Sequence, residues 1–152
     1  MTADDLRTEI DIDIESIETA LEKLAVLYAD VGDRRPTVRV KTAAAAFLAQ
    51  FYGAIENILK RISLFHNMPL PTGKTWQMDL FKRFCSPSYS PFPELFDESL
   101  ASALPPYRRF RHVFHHSYSF ELEWERMREG IERAPYLFGR FKETVLKYLQ
   151  GL

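Results

Sequence analysis

The sequence predicts an all-α fold, an up-and-down helical bundle of four to five main helices, with residues 1–152 forming one domain. Three observations point there. Apolar residues recur at helical spacing over long stretches, and no convincing run of alternating apolar and polar residues occurs anywhere. Glycine and proline fall mostly between those stretches, where they end or start helices. With 152 residues, 46% hydrophobic and 27% charged, the chain has the size and composition of one ordinary globular domain with a single core.

The first helix is marked by Ile10, Ile14, Ile17, Leu21, Leu24, Tyr28 and Val31, spaced alternately four and three apart along one stripe. Such a stripe suits packing within a bundle and a helix–helix dimer seam equally well. Gly32-Asp33 stops it, and Pro36 stands where a second helix can begin. That helix covers VKTAAAAFLAQFYGAIENILKRISLF, whose Phe47, Phe51, Ala54, Ile58 and Ile62 join Leu48, Ile55 and Leu59 in a broad apolar face. Ala43–Ala46 would let another backbone come close, and Glu56 and Lys60 are spaced for a surface i,i+4 pair. Residues 67–93 are broken by Pro69, Pro71, Gly73, Pro87, Pro91 and Pro93, which leaves TWQMDLFKRF as one short helix. The GKT string at Gly73–Thr75 lacks both the earlier glycine and the preceding apolar strand of a phosphate-binding loop. A further helix is expected over PELFDESLASAL. Pro105-Pro106 opens the next, and from Glu121 the chain reads as a last long helix with Pro135 as the place for a bend.

No run of about 18 uncharged apolar residues exists to span a membrane. The acidic opening MTADDLRTEIDIDIE is unlike a secretion signal, so a cytoplasmic location is expected and no membrane partner. Cys85 is the lone cysteine and is expected to be buried or incidental. The net charge of −1 hides an asymmetry: residues 1–33 hold ten Asp/Glu against Arg7 and Lys23, a net of −8, so the rest carries +7. A phosphate-rich partner such as RNA and internal pairing between packed helices would each account for it.

The basic charge is densest in YRRFRHVFHHSY at Tyr107–Tyr118, with three arginines, three histidines and no acid. On a helix of about 100° per residue, Tyr107, Phe110 and Phe114 fall on the core-facing stripe, with Arg111 and Tyr118 at its edge. His115 lies about 40° from Arg111, whereas His116 lies about 140° away unless the helix unwinds near its end. Register therefore favours His115 as the partner of Arg111. His112 and His116 have an i,i+4 zinc spacing, but no H-E-x-x-H pattern accompanies them and three arginines would repel a cation; no metal is expected. Arginine and histidine at a helix end can also simply cap carbonyls, and Tyr118 can be a core aromatic.

Arg111, His116 and Tyr118 spell R-x4-H-x-Y, and on this motif the chain resembles the HepT-type toxins of the HEPN superfamily of small α-helical ribonucleases. YGAIENILKRI at Tyr52–Ile62 is similar to that family's second helix, and the size, helix order and acidic first helix are similar as well. The resemblance implies a metal-independent endoribonuclease without a cofactor. In it the ribose 2′-hydroxyl attacks the adjacent phosphate, leaving a cyclic phosphate and a free 5′-hydroxyl. Histidine suits proton transfer near neutral pH and a guanidinium suits a doubly charged phosphorane, so the motif gives those roles to His116 and Arg111. Arg108, Arg109, His112 and His115 would hold the flanking RNA. The resemblance further implies a homodimer with two motifs facing one cleft, and a toxin–antitoxin pair of the HepT/MntA kind, type VII-like. There an MntA-like nucleotidyltransferase silences the toxin by attaching AMP to Tyr118. The alternative is a non-catalytic helical module that binds such a nucleotidyltransferase or a nucleotide.

Overall fold

In the computed structural model, which describes residues 1–152, six α-helices follow one another without a strand. They are α1 (Ala3–Val31), α2 (Val38–Phe65), α3 (Trp76–Lys82), α4 (Glu98–Ala103), α5 (Pro105–His116) and α6 (Trp124–Gln150), with a 3₁₀ turn at Ser119–Glu121. The all-α bundle expected from the sequence is what forms.

The long helices start where the chain supplies acceptors for their free N–H groups. Thr2 and Asp5 form a reciprocal capping box on α1, and Thr37 accepts from Val40 at the start of α2. Gly32, at φ 53°, ends α1 in a conformation that a side chain would strain. The stripe Leu6, Ile10, Ile14, Ile17, Leu21 and Leu24 of α1 is buried along α2, whose Phe51, Ile55, Ile58 and Ile62 are fully enclosed. Met127, Ile131, Leu137, Phe141, Val145 and Leu149 of α6 close the same core. α6 runs through Pro135 as one helix.

Part of the acidity of α1 is used inside the fold. Arg61 of α2 holds Asp13 at 2.6 Å and Glu9 at 2.8 Å, and Lys142 of α6 reaches Glu18 at 3.3 Å. Internal complementarity thus accounts for a share of the charge asymmetry.

The proline-rich segment is packed rather than loose. Phe81 stacks on Phe96 at 4.4 Å between ring centres, Phe96 stacks on Phe141 at 5.6 Å, and Phe84 meets Phe92 edge-on at 5.3 Å. Residues 93–97, expected as the start of a helix, are not helical, and a single bridge joins Cys85 and Phe96. Burial of Phe92, Leu95 and Phe96 in the core outweighs the weak local preference of PELFD, and the helix begins only after Asp97 caps it. Cys85 is half-buried, donates to the Phe81 carbonyl at 3.5 Å, and burial pushes its thiol pKa up, away from nucleophilic use.

Candidate functional site

Pro105 and Pro106 occupy the first turn of α5, where a missing N–H costs nothing. Tyr107 anchors the helix: its ring packs edge-on against Phe51 at 5.2 Å and its hydroxyl donates to the Gly130 carbonyl of α6 at 2.7 Å. Burial raises the Tyr107 pKa to about 12, so the hydroxyl stays a donor throughout the physiological range. Phe110 and Phe114 pack against the edge of the core. With α5 so clamped over α2, Arg111 lies across the α2 backbone.

The contact is built around Gly53. A methyl group there would stand 3.6 Å from Cζ and Nε of Arg111, so the guanidinium rests against bare backbone. Its Nη1 donates to Oε1 of Glu56 at 2.9 Å. Glu56 is 2% exposed, and its Oε2 is buried without a partner. The expected i,i+4 pair of Glu56 with Lys60 forms, but it is not a surface pair, because Glu56 is buried. Lys60 Nζ stands 3.9 Å from Glu56 Oε1 and 4.8 Å from the centre of the Trp76 ring, while Glu56 serves Arg111 from below. Arg111 Nε and Nη2 make no hydrogen bond within the protein, and the side chain lines an open groove of about 490 Å³. Asp13 and Ser16 of α1, Ala46, Ala49, Gln50, Gly53, Ala54 and Asn57 of α2, and Phe114 and His115 of α5 line the rest.

The helix does not unwind before His116. α5 remains helical to that residue, and Ser117, at φ −123° and ψ 164°, ends it. The structure accordingly brings His115 into the groove with Arg111 and puts His116 on the other side of the helix. There His116 stacks on His112 at 4.2 Å, and its Nδ1–H donates to the His112 carbonyl at 2.8 Å, which leaves Nε2 toward solvent. No set of three His, Cys, Asp or Glu side chains gathers anywhere as a metal cage would require. His115 and His116 sit in the last turn of α5, where a positive charge is favoured by the helix dipole.

Arg109 and His112 are exposed on the outer face of α5, with His116. Arg108 is half-buried, its guanidinium 5.9 Å from the centre of the Phe81 ring, next to Tyr52, whose phenol burial raises to about 12 against the opposing pull of Arg108. Tyr118 is not a core aromatic. It is 69% exposed and stacks on Phe120, itself 67% exposed, at 5.5 Å and 6° between planes. The strap that carries both rings is pinned to α2 by Lys41, whose Nζ donates to the Leu122 carbonyl at 3.0 Å.

Against known families, residues 43–152 match one whose description reads HepT-like protein. The match runs from α2 to the C-terminus and takes in Glu56, Arg111, both histidines and Tyr118. This chain belongs to the HepT-like family. It is a HepT-like protein of the HEPN type, a class whose members are usually nuclease toxins. The family match begins beyond α1, so the acidic helix that walls one side of the groove lies outside it. No curated protein and no solved structure gives a significant match. No helix of this HepT-like chain is long and apolar enough to cross a membrane.

Sequence reasoning missed Glu56 and Gly53 as parts of the site. Periodicity assigned Glu56 to the surface, and its partner is 55 residues away in the chain. The available signal was the YGAIE string itself: a glycine followed by an acid one turn later, inside an otherwise apolar helix face.

Proposed function

We propose that this HepT-like protein is a metal-independent endoribonuclease toxin, working as a homodimer and silenced by a nucleotidyltransferase that attaches AMP to Tyr118. The observation that carries the catalytic part is the guanidinium of Arg111, laid over Gly53, backed by Glu56 and left with two N–H edges free in an open groove. Those edges suit two oxygens of one phosphate, and a fixed donor stabilises charge that develops on a phosphorane without reorganising. A histidine moves the protons. The motif gives that role to His116, while the geometry of one chain favours His115, which shares the groove with Arg111. The two assignments are reconciled if His116 serves the Arg111 of a second copy in the dimer, with His115 helping to hold RNA in its own chain. Arg108, Arg109 and His112 attract the flanking backbone by charge.

The free ring of Tyr118, 69% exposed at the mouth of the strap, supports modification there. A nucleotide on it would bring a negative phosphate within reach of the basic cluster and compete with RNA.

Three measurements test the proposal. Purified protein should cut RNA in EDTA, leave 5′-hydroxyl ends, and lose that activity in Arg111→Ala. Next, equal parts of Arg111→Ala and His116→Ala chains, mixed so that dimers exchange, should recover activity if the pair acts between chains. A pair acting within one chain gives no recovery, and then His115→Ala should be the inactive variant. Finally, intact mass should rise by AMP units with ATP and the cognate nucleotidyltransferase, and not in Tyr118→Phe. Cleavage equal in wild type and Arg111→Ala would remove the enzyme and leave the binding module.

A further inference from the structure

The groove offers more than a place for one phosphate. Of its polar side chains, Asp13 is taken by Arg61 at 2.6 Å, and the Ser16 hydroxyl donates to the Ile12 carbonyl at 3.0 Å. Two primary amides remain, Gln50 and Asn57, both exposed and neither bonded within the protein. Their placement is specific. Gln50 precedes Gly53 by three residues and Asn57 follows it by four, so at about 1.5 Å per residue they stand about 4.5 Å and 6 Å from Gly53 along the α2 axis, on either side. At about 100° per residue both stay within about 60° of the direction Gly53 faces. Between them the floor is Gly53 and Ala54, which puts nothing bulky in the way.

A phosphodiester has one nucleoside on each side. With the phosphate centred on Arg111, over Gly53, the two attached bases extend in opposite directions along the groove, and each meets one amide. A primary amide carries both a donor pair and an acceptor, and so can pair with the edge of an unstacked base and discriminate among bases. The volume of about 490 Å³ lies inside the about 300–1,000 Å³ range of small-ligand clefts, enough for parts of two nucleotides but not for a duplex. We propose that Gln50 and Asn57 set the sequence preference of this chain, each reading one of the two bases that flank the phosphate at Arg111, in single-stranded RNA. This deepens the ribonuclease reading and rests on it.

The test is a map of cleavage positions on a randomised RNA pool, by sequencing of 5′-hydroxyl ends, for wild type, Gln50→Ala, Asn57→Ala and Arg111→Ala. Both amides are on the surface, so matched melting curves are expected for the two alanine variants. Wild type should prefer particular bases at the two flanking positions. Gln50→Ala should flatten the preference on one side and Asn57→Ala on the other. On the best wild-type sequence each should lose about 3- to 10-fold in rate, the range of one or two ordinary hydrogen bonds. Cleavage that depends on Arg111 but keeps the wild-type preference at both positions in both variants overturns this inference and leaves the ribonuclease. Absence of a wild-type preference at both positions overturns it too. Absence of any Arg111-dependent cleavage overturns the ribonuclease and this inference together.

Discussion

Arg111→Ala, the substitution that tests the chemistry, should also cost stability. Glu56 is 2% exposed, its Oε1 has one close partner, Arg111 Nη1 at 2.9 Å, and its Oε2 has none. Removing the guanidinium leaves a buried carboxylate whose nearest remaining cation, Lys60, is 3.9 Å away and held over Trp76. Breaking a buried pair from one side costs about 3–5 kcal/mol when both partners are enclosed. Here the Arg111 side chain is 27% exposed and the groove is open, so water can follow into the space. A cost of about 2–3 kcal/mol is therefore expected, below the fully buried range. At about 2–4 °C per kcal/mol for a domain of this size, the melting temperature should fall by about 4–12 °C. The assay is thermal unfolding by circular dichroism at neutral pH, for wild type, Arg111→Ala, Glu56→Gln and the double variant Glu56→Gln/Arg111→Ala. The double variant has a neutral amide in place of the stranded charge and should be more stable than Arg111→Ala, the signature of direct coupling. An Arg111→Ala melt within about 1 °C of wild type, well under the 4 °C minimum, would refute the reasoning. So would a double variant no more stable than the single one. Cleavage by Arg111→Ala has to be measured well below its own melting temperature, or lost folding will pass for lost catalysis.

Gly53→Ala puts a methyl in ordinary contact with Arg111 and should leave cleavage near wild type, whereas Gly53→Leu displaces the guanidinium and should lower cleavage by about 100-fold, the scale of a 1 Å misplacement. Arg61→Ala strands Asp13, which is buried and held at 2.6 Å; unfolding should report a loss of about 2 kcal/mol, within the range for hydrogen bonds to charged groups. Burial lowers the His66 pKa, and its Nε2 is hydrogen-bonded with the Tyr148 hydroxyl at 2.6 Å. The unfolded chain therefore binds the proton more readily, and stability should be complete above the unfolded value of about 6.5 and decline as pH falls from there toward the lower folded value. His66→Gln should flatten that part of the melting-temperature profile. RNA affinity should fall with salt, and Arg109→Ala should reduce the log–log slope by about 0.7, one phosphate contact on a single strand.

The bundle was legible because its long helices are written locally. The 4-3 spacing of Ile10 to Val31 and the apolar face of VKTAAAAFLAQFYGAIENILKRISLF each specify a buried stripe within one helix, and those residues form the core. Elements decided by distant partners were read less well. PELFD looks like a helix start, but Phe92, Leu95 and Phe96 are drawn into the core beside Phe81 and Phe141, and the chain there is not helical. The last helix begins at Trp124 rather than Glu121, because Ser119–Glu121 forms a 3₁₀ turn and Leu122 is buried beside the Lys41 tether. For the site, the 100° rule placed His115 beside Arg111 and His116 away from it, as α5 in fact does by staying helical to its last turn. What no local rule could supply was Glu56, since an i,i+4 lysine explains a glutamate just as well until α5 is laid over α2.

On the proposed chemistry, a carboxylate beneath the essential guanidinium has a physical purpose. Unopposed, Arg111 would bind every phosphate of every RNA, and binding that is equal in ground and transition states lowers KM without raising kcat. Glu56 offsets part of that charge at 2.9 Å and so weakens attraction to a singly charged diester. A doubly charged phosphorane still gains more from the same two free N–H edges, whose direction Glu56 and Gly53 hold fixed beforehand. Non-selective attraction then falls to Arg109 and His112, exposed on the outer face of α5, where no acid opposes them on that helix. One helix thus separates capture of RNA from discrimination of its transition state. On this view Glu56→Gln should bind uncleaved RNA more tightly than wild type yet cleave it more slowly, a combination that simple loss of structure cannot produce.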